Sequence, residues 1–202
     1  MRIILSSLAL IAAALLAVPS ARGQSFLENG DFENPTDPFK GWVTDYEWTK
    51  NSYYVGNKAH LTIASEGARK NFVNFGNAGD GGVKLETRAF PIEPGFKYIC
   101  NLDIKGSAYR IYFAGYQWAP GIRPHENPEL SELRMVYQSK ALIGTNEAWQ
   151  KGKLELPGVV LSPAAIEHLK KVRYLTLYIW MMKPGSVDNV TLTKVADPAM
   201  KF

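Results

Sequence analysis

Apolar and polar residues alternate with a period of two along most of this chain, and Gly, Pro, Asn and Asp interrupt the alternation at short intervals. That period belongs to strands whose successive side chains point to opposite faces. The clearest case is Arg173–Met182. Leu175, Leu177, Ile179 and Met181 make one face; Tyr174, Thr176, Tyr178 and Trp180 make the other. Tyr109–Trp118 divides in the same way. Ile111 and Phe113 lie opposite Arg110, Tyr112, Tyr116 and Trp118. In Lys97–Lys105, Tyr98, Cys100, Leu102 and Ile104 share one face. The pattern predicts further strands at the opening Phe26–Leu27, Trp42–Trp48, Ser52–Gly56, Ala59–Ser65, Arg69–Phe75, Val83–Phe90, Leu133–Leu142, Trp149–Leu156 and Ser186–Val195. One segment breaks the period. In Ser162–Lys171, Ser162 can cap a helix, Pro163 suits its first turn, and Ile166 with Leu169 forms an apolar stripe. Two Pro-rich stretches, Asn34–Lys40 and Ala119–Glu129, read as loops. Many short strands, frequent turns and one helix predict an all-β sandwich.

The N-terminus changes the count of residues that fold. Arg2 precedes an almost wholly apolar run from Ile3 to Val18, and Ala21-Arg22-Gly23 has the form of a cleavage site. Residues 1–23 are therefore expected to be a secretory signal peptide, and the protein to be secreted or periplasmic. The apolar run is short for a membrane span and no second one follows, so no membrane association is expected after cleavage. About 180 residues, from Gln24 to Phe202, remain for a single β-sandwich domain. Arg2 and Arg22 supply two of the four net positive charges, and the other basic residues are scattered. That charge gives no reason to expect a nucleic-acid partner. The single cysteine, Cys100, rules out an internal disulfide framework and reads as a buried thiol.

Four segments, in order, resemble carbohydrate-binding modules of the galactose-binding-domain-like jelly-roll type. The first is Leu27-x-Asn29-Gly30-Asp31-Phe32-Glu33, with Gly41-Trp42 after it. The second runs from Ile92 through Pro94, Gly95 and Tyr98 to Ile104-Lys105-Gly106. The third is Glu147-Ala148-Trp149-Gln150, and the fourth is Val187-Asp188-Asn189-Val190-Thr191-Leu192. Trp118–Glu129 and the helix lie outside that pattern. The resemblance implies a jelly-roll sandwich whose first and last strands meet. It also implies a structural Ca²⁺ at that meeting, with Glu33 and Asp188 at the carboxylate positions. Trp42 and Trp149 match framework positions and are expected in the core. Trp48, Tyr53 and Tyr54 are candidates for either core or ligand contact.

Strand parity adds a candidate site. If Ile111, Phe113, Leu175 and Leu177 face the core, then Arg110, Tyr112, Tyr116, Trp118, Tyr174, Tyr178 and Trp180 face away from it. The same argument, applied to Lys97–Lys105, adds Asn101 and Asp103. Rigid aromatic rings with interleaved polar groups suit the apolar faces and hydroxyl edges of sugars. The expectation is an open aromatic cleft for a polysaccharide or oligosaccharide; the alternative is a second core, roofed by Trp118–Glu129 and the helix. Catalytic signals are weak. His60, His125 and His168 lack metal-ligand spacing, and no nucleophile motif or Gly-rich phosphate loop is present. The function expected is therefore non-catalytic carbohydrate binding. Two alternatives stand beside it. One is a structural or adhesive surface sandwich with a protein partner. The other is a small polysaccharide lyase or glycoside hydrolase, for which Tyr112, Arg110 and His125, or Asp103 with Glu126 or Glu129, are the candidates.

Overall fold

The strictest alternations become the longest strands, and they pack into a jelly-roll β-sandwich. A computed structural model describes residues 25–50, 56–144, 146–158 and 162–200. The expected signal peptide lies outside these residues, as does almost all of the strand expected at Ser52–Gly56. The strands are β1 (Trp42–Val43), β2 (Leu61–Glu66), β3 (Arg69–Phe75), β4 (Val83–Thr87), β5 (Phe90–Pro91) and β6 (Phe96–Gly106). They continue with β7 (Tyr109–Trp118), β8 (Leu133–Gln138), β9 (Leu142–Ile143), β10 (Asn146–Leu156), β11 (Tyr174–Met181) and β12 (Gly185–Ala196). One sheet runs β1-β4-β11-β7-β8, with β5 pairing on β11 and β9 on β7; the other runs β10-β6-β12-β3-β2. Neighbours pair antiparallel throughout.

The main core fills the space between the sheets. Leu85, Ile111, Phe113, Leu175, Leu177 and Ile179 come from the first sheet. Val73, Phe75, Tyr98, Cys100, Leu102, Ile104, Val187 and Leu192 come from the second. All but one pair keep the inward parity of their strands; Val187 and Leu192, of opposite parity, both face inward because the register of β12 shifts between Asp188 and Thr191. Cys100 is fully buried, and burial pushes its thiol up, away from the reactive thiolate. Helix α1 (Pro163–Leu169) has Ser162 as its cap, with the Ala165 N–H donating to Ser162 Oγ at 3.2 Å. It sends Ala165 and Leu169 into this same core.

The opening residues lie against the last strand without forming a regular strand themselves. The Phe26 N–H donates to Leu192 O at 2.9 Å, and the Val190 N–H donates to Gly30 O at 2.8 Å. Pairing of β12 with β6 is irregular between Asp188 and Thr191, and Asn189 has φ 50°. Gly30 fits over that bulge because it has no side chain; a Cβ there would overlap the Val190 carbonyl. Asn29 accepts from the Asn34 N–H at 2.9 Å and donates to Pro38 O at 2.7 Å, so its amide folds the Pro-rich loop back. Phe32 is fully buried and stacks on Trp42 with centroids 5.2 Å apart. Burial of one such ring contributes roughly 2–3 kcal/mol.

Several strand expectations need correction. Phe26–Leu27 forms no regular strand, and Val83–Phe90 divides into β4 and β5 with residues 88–89 outside any strand. Trp42–Trp48 leaves the sheet after Val43, and Glu47–Thr49 forms a 3₁₀ turn. The Asp45 carboxylate accepts from the Glu47 N–H at 2.9 Å and so competes with ladder pairing. Leu133–Leu142 divides into β8 and β9, with residues 139–141 outside any strand.

Candidate ligand face

The outward face of the larger sheet is a ladder of cross-strand rungs. Register places Lys84, Trp180 and Arg110 side by side. One rung along, Glu86, Tyr178 and Tyr112 stand together. Then come Thr176 with Ala114, and Tyr174 with Tyr116. Beyond these, Trp118 meets Tyr174 edge-on at 5.6 Å. The structure therefore brings together all seven residues predicted on β7 and β11. It adds Lys84 and Glu86, which the sequence reading missed. Their signal was present: in Val83-Lys84-Leu85-Glu86-Thr87 the charged residues take the parity opposite to Val83 and Leu85.

Each rung is held by specific contacts. Asn57 clamps β4 beside its short partner. Its amide donates to Lys84 O at 2.9 Å and to Thr44 O at 2.7 Å, and its carbonyl accepts from the Lys84 N–H at 2.8 Å. The Trp180 Nε1–H donates to Gly81 O at 2.9 Å. Gly82, at φ 62°, lets the indole approach, since a Cβ there would overlap Trp180 Nε1. Tyr112 and Tyr178 stack in parallel, 4.8 Å between centroids. Glu86 Oε2 accepts from the Tyr116 hydroxyl and from Thr176 Oγ1, each at 2.9 Å. Burial drives the Glu86 carboxyl up to about 7, against the opposing pull of those two donors and of Lys84. Burial likewise lowers Lys84 to about 8, partly offset by Glu86. Burial and then the neighbouring Glu86 push the Tyr116 phenol up.

The centre of this face is covered, unlike the open cleft expected. Tyr112, Tyr116 and Tyr178 are only 7%, 6% and 7% exposed. They share a second apolar cluster with Leu130 and Leu133, and Val43, Ala89 and Ala141 pack at its margin. Leu130 comes from the 3₁₀ turn Leu130–Glu132 that follows the Pro-rich loop, and no residue of Ala119–Glu129 belongs to this cluster. The helix plays no part in it. Arg110, Trp118, Tyr174 and Trp180 are half-buried and form the accessible rim.

Asn101 and Asp103 do not join this face. β6 belongs to the other sheet, so its outward parity points to the opposite side of the sandwich. There Asn101 is exposed and Asp103 sits in a charged cluster. Arg69 lies between Asp103, at 3.0 Å, and Asp188. Lys151 Nζ reaches Asp103 at 2.6 Å, and the Asn189 amide donates to both carboxylates. Burial raises the Asp103 carboxyl, but hydrogen bonds from Lys151, Asn189 and Arg69 outweigh it and hold the group below its usual range. For Asp188, burial wins over Arg69 and the carboxyl is raised. Trp149 also belongs here rather than in the core. It is half-buried, under the Arg69 guanidinium at 4.0 Å and edge-on to Phe72 at 5.3 Å. Trp42 is in the main core; Trp48 is 46% exposed; Tyr53 and Tyr54 lie outside the described residues.

The donor set for calcium does not fit. Ca²⁺ takes six to eight oxygen ligands, with carboxylates prominent among them. Here Glu33 accepts from the Asn71 N–H at 2.9 Å, and the Asp188 carboxylate is taken by Arg69 and Asn189. Among the described residues, no group of three or more His, Cys, Asp or Glu side chains converges. A guanidinium supplies the positive charge between Asp103 and Asp188.

No protein-family model matches the chain, and no curated protein does. Solved structures do match. One is the N-terminal CBM22-1–CBM22-2 tandem domain of Paenibacillus barcinonensis Xyn10C, at 11% identity and a TM-score of 0.50, covering 89% of this chain and 52% of that one. Another is TmCBM61 in complex with β-1,4-galactotriose, at 14% identity and a TM-score of 0.44, covering 85% and 99%. A third is the CBM22-1–GH10 portion of Clostridium thermocellum xylanase 10B complexed with xylohexaose, at 12% identity and a TM-score of 0.43, covering 86% and 28%. This chain thus spans about half of the first protein and about a quarter of the third. The likeness is one of fold: the jelly-roll β-sandwich on which carbohydrate-binding modules are built.

Proposed function

We propose that this is a secreted, non-catalytic carbohydrate-binding protein. A glycan chain runs along the rim of the aromatic face: one ring stacks on Trp180, with polar contacts from Arg110, and another, about 25 Å along β7, stacks on Trp118 and Tyr174. The tyrosines beneath act as a stiff floor. The observation that carries this reading is a buried polar row outside the main core, with Lys84 beside the half-buried Trp180 and Glu86 bonded to Thr176 and Tyr116 farther along the same face. Desolvating charges costs stability. A sheet face that only had to be covered would be served by apolar residues. Catalysis has less support, because its candidates are dispersed. His125 lies against Trp118, with ring centroids 5.0 Å apart, while Arg110 stands eight residues back along β7. At the rise of a strand that separation is about 25 Å. Asp103 lies on the opposite face from Glu126 and Glu129.

Affinity electrophoresis and titration calorimetry against a panel of polysaccharides test the proposal. Trp180→Ala and Trp118→Ala are each expected to weaken binding by about tenfold, with melting cooperativity retained. Trp180→Phe separates loss of the platform from loss of the Gly81 hydrogen bond. Unchanged binding in the Trp variants would move the ligand elsewhere; absence of binding to every glycan would favour a protein partner.

A further inference from the structure

The rung Lys84–Trp180–Arg110 sets a cation on each side of one indole. Adjacent strands lie about 5 Å apart, so the two charged residues start about 10 Å from each other. Lys84 is answered inside the fold, since it donates to Gly81 O and lies near the Glu86 carboxylate. Arg110 is not answered in this way. Its Nε is buried and has no hydrogen-bond partner. Among the described residues, no carboxylate forms an ion pair with it. Buried donors in folded proteins are almost always paired. A guanidinium has five donors and does not shed its charge. A guanidinium with an unpaired buried Nε and no carboxylate partner, beside a half-buried indole, has the form of a half-built recognition site.

Resting on the carbohydrate-binding reading above, we propose that the ligand is an acidic glycan, whose anionic group is seated on Arg110 while its ring stacks on Trp180. The planar fork of a guanidinium matches a carboxylate or a sulfate ester in a two-point contact. Lys84, across the indole, adds positive field without a direct contact. A neutral sugar would leave Arg110 with only hydroxyl acceptors, which bind a charged donor less strongly.

Matched glycan pairs read this directly. Polygalacturonate is compared with its carboxyl-reduced form, and carrageenan with its desulfated form, by affinity electrophoresis and calorimetry at low and high salt. The expected result is binding about tenfold tighter to at least one acidic partner than to its neutral twin, with the preference shrinking as salt rises. The pair that responds distinguishes carboxylate from sulfate. Arg110→Met is expected to abolish the preference, and Arg110→Lys to keep part of it; thermal melts confirm folding of both, and the salt dependence of the wild type stands without either. Equal affinity for acidic and neutral twins, or a preference that survives in Arg110→Met, overturns the inference and leaves carbohydrate binding intact. Failure of all four glycans and of the neutral panel overturns the carbohydrate reading itself.

Discussion

Glu86 is a buried carboxyl, and it gives the fold a pH dependence. Below pH about 4.5 its carboxyl is protonated whether the chain is folded or not. Between there and about 7 it is protonated in the fold but ionised in the unfolded chain, so stability falls as pH rises. Above 7 the buried charge is present in full, at a cost on the order of 3 kcal/mol. Lys84 acts in the opposite limb. Its value, lowered to about 8, means that stability returns as pH rises from there toward 10.5. The melting temperature contributed by this pair is therefore lowest between pH 7 and 8. Glu86→Gln keeps an oxygen for Tyr116 and Thr176 but cannot ionise. The variant is expected to gain on the wild type as pH rises from 5 to 7.5, measured by paired thermal melts. A wild-type-to-variant difference that stays constant across that range would contradict the burial argument. Neither residue is among those expected on this face, because that expectation rests on the parity of β6, β7 and β11 and not on that of the strand expected at Val83–Phe90. What parity supplies is a face; only the roof of Leu130, Leu133 and Val43 makes that face an interior.

At the scale of elements, the sequence was most readable where alternation had no local competitor. β3 and β7 begin and end where the pattern predicts, and β6, β11 and β12 agree within a residue or two at each end. The alternation of Trp42, Thr44, Tyr46 and Trp48 misled because Asp45 captures a backbone N–H and starts a turn. Tyr46 is buried all the same, by packing rather than by pairing. The corner where the opening turn meets β12 was legible as a junction, since Gly30, Phe32 and Val190 interlock there. Its charge balance was not legible. Arg69 is remote in sequence from both Asp103 and Asp188, and no spacing rule links them. With Arg69 between the carboxylates, millimolar calcium or a chelator is expected to leave the melting temperature of the protein unchanged. Arg69→Ala strands two largely buried carboxylates and is expected to cost about 2 kcal/mol, the pair being partly exposed through the arginine. Calorimetry and chelator melts on both proteins check this; a calcium-dependent rise in the wild type would show that the guanidinium does not close the site.

At the scale of the whole molecule, parity alone cannot say which sheet a strand joins. β6 and β7 follow one another across a turn at Ser107-Ala108, yet they lie in different sheets. Their outward faces are therefore on opposite sides of the sandwich, and grouping Asn101 and Asp103 with Tyr112 combined residues that no single ligand reaches. Packed sheets stand about 10 Å apart, and the outward side chains on both sides add to that. A sugar ring resting on Trp180 is separated from Asn101 by two sheets and the main core. The two faces also differ in kind. On the β6 side the carboxylates are neutralised by Arg69, Lys151 and Asn189, whereas on the β7 side Arg110 Nε is left without a partner. Asn101→Ala and Lys151→Ala are therefore expected to change glycan affinity by less than about twofold, while Trp180→Ala changes it by about tenfold under the same conditions. Titration of all three variants against one bound glycan decides between the faces. A loss confined to Asn101→Ala and Lys151→Ala would place the ligand on the charged face of the smaller sheet, with the aromatic face of the larger sheet left as a second core.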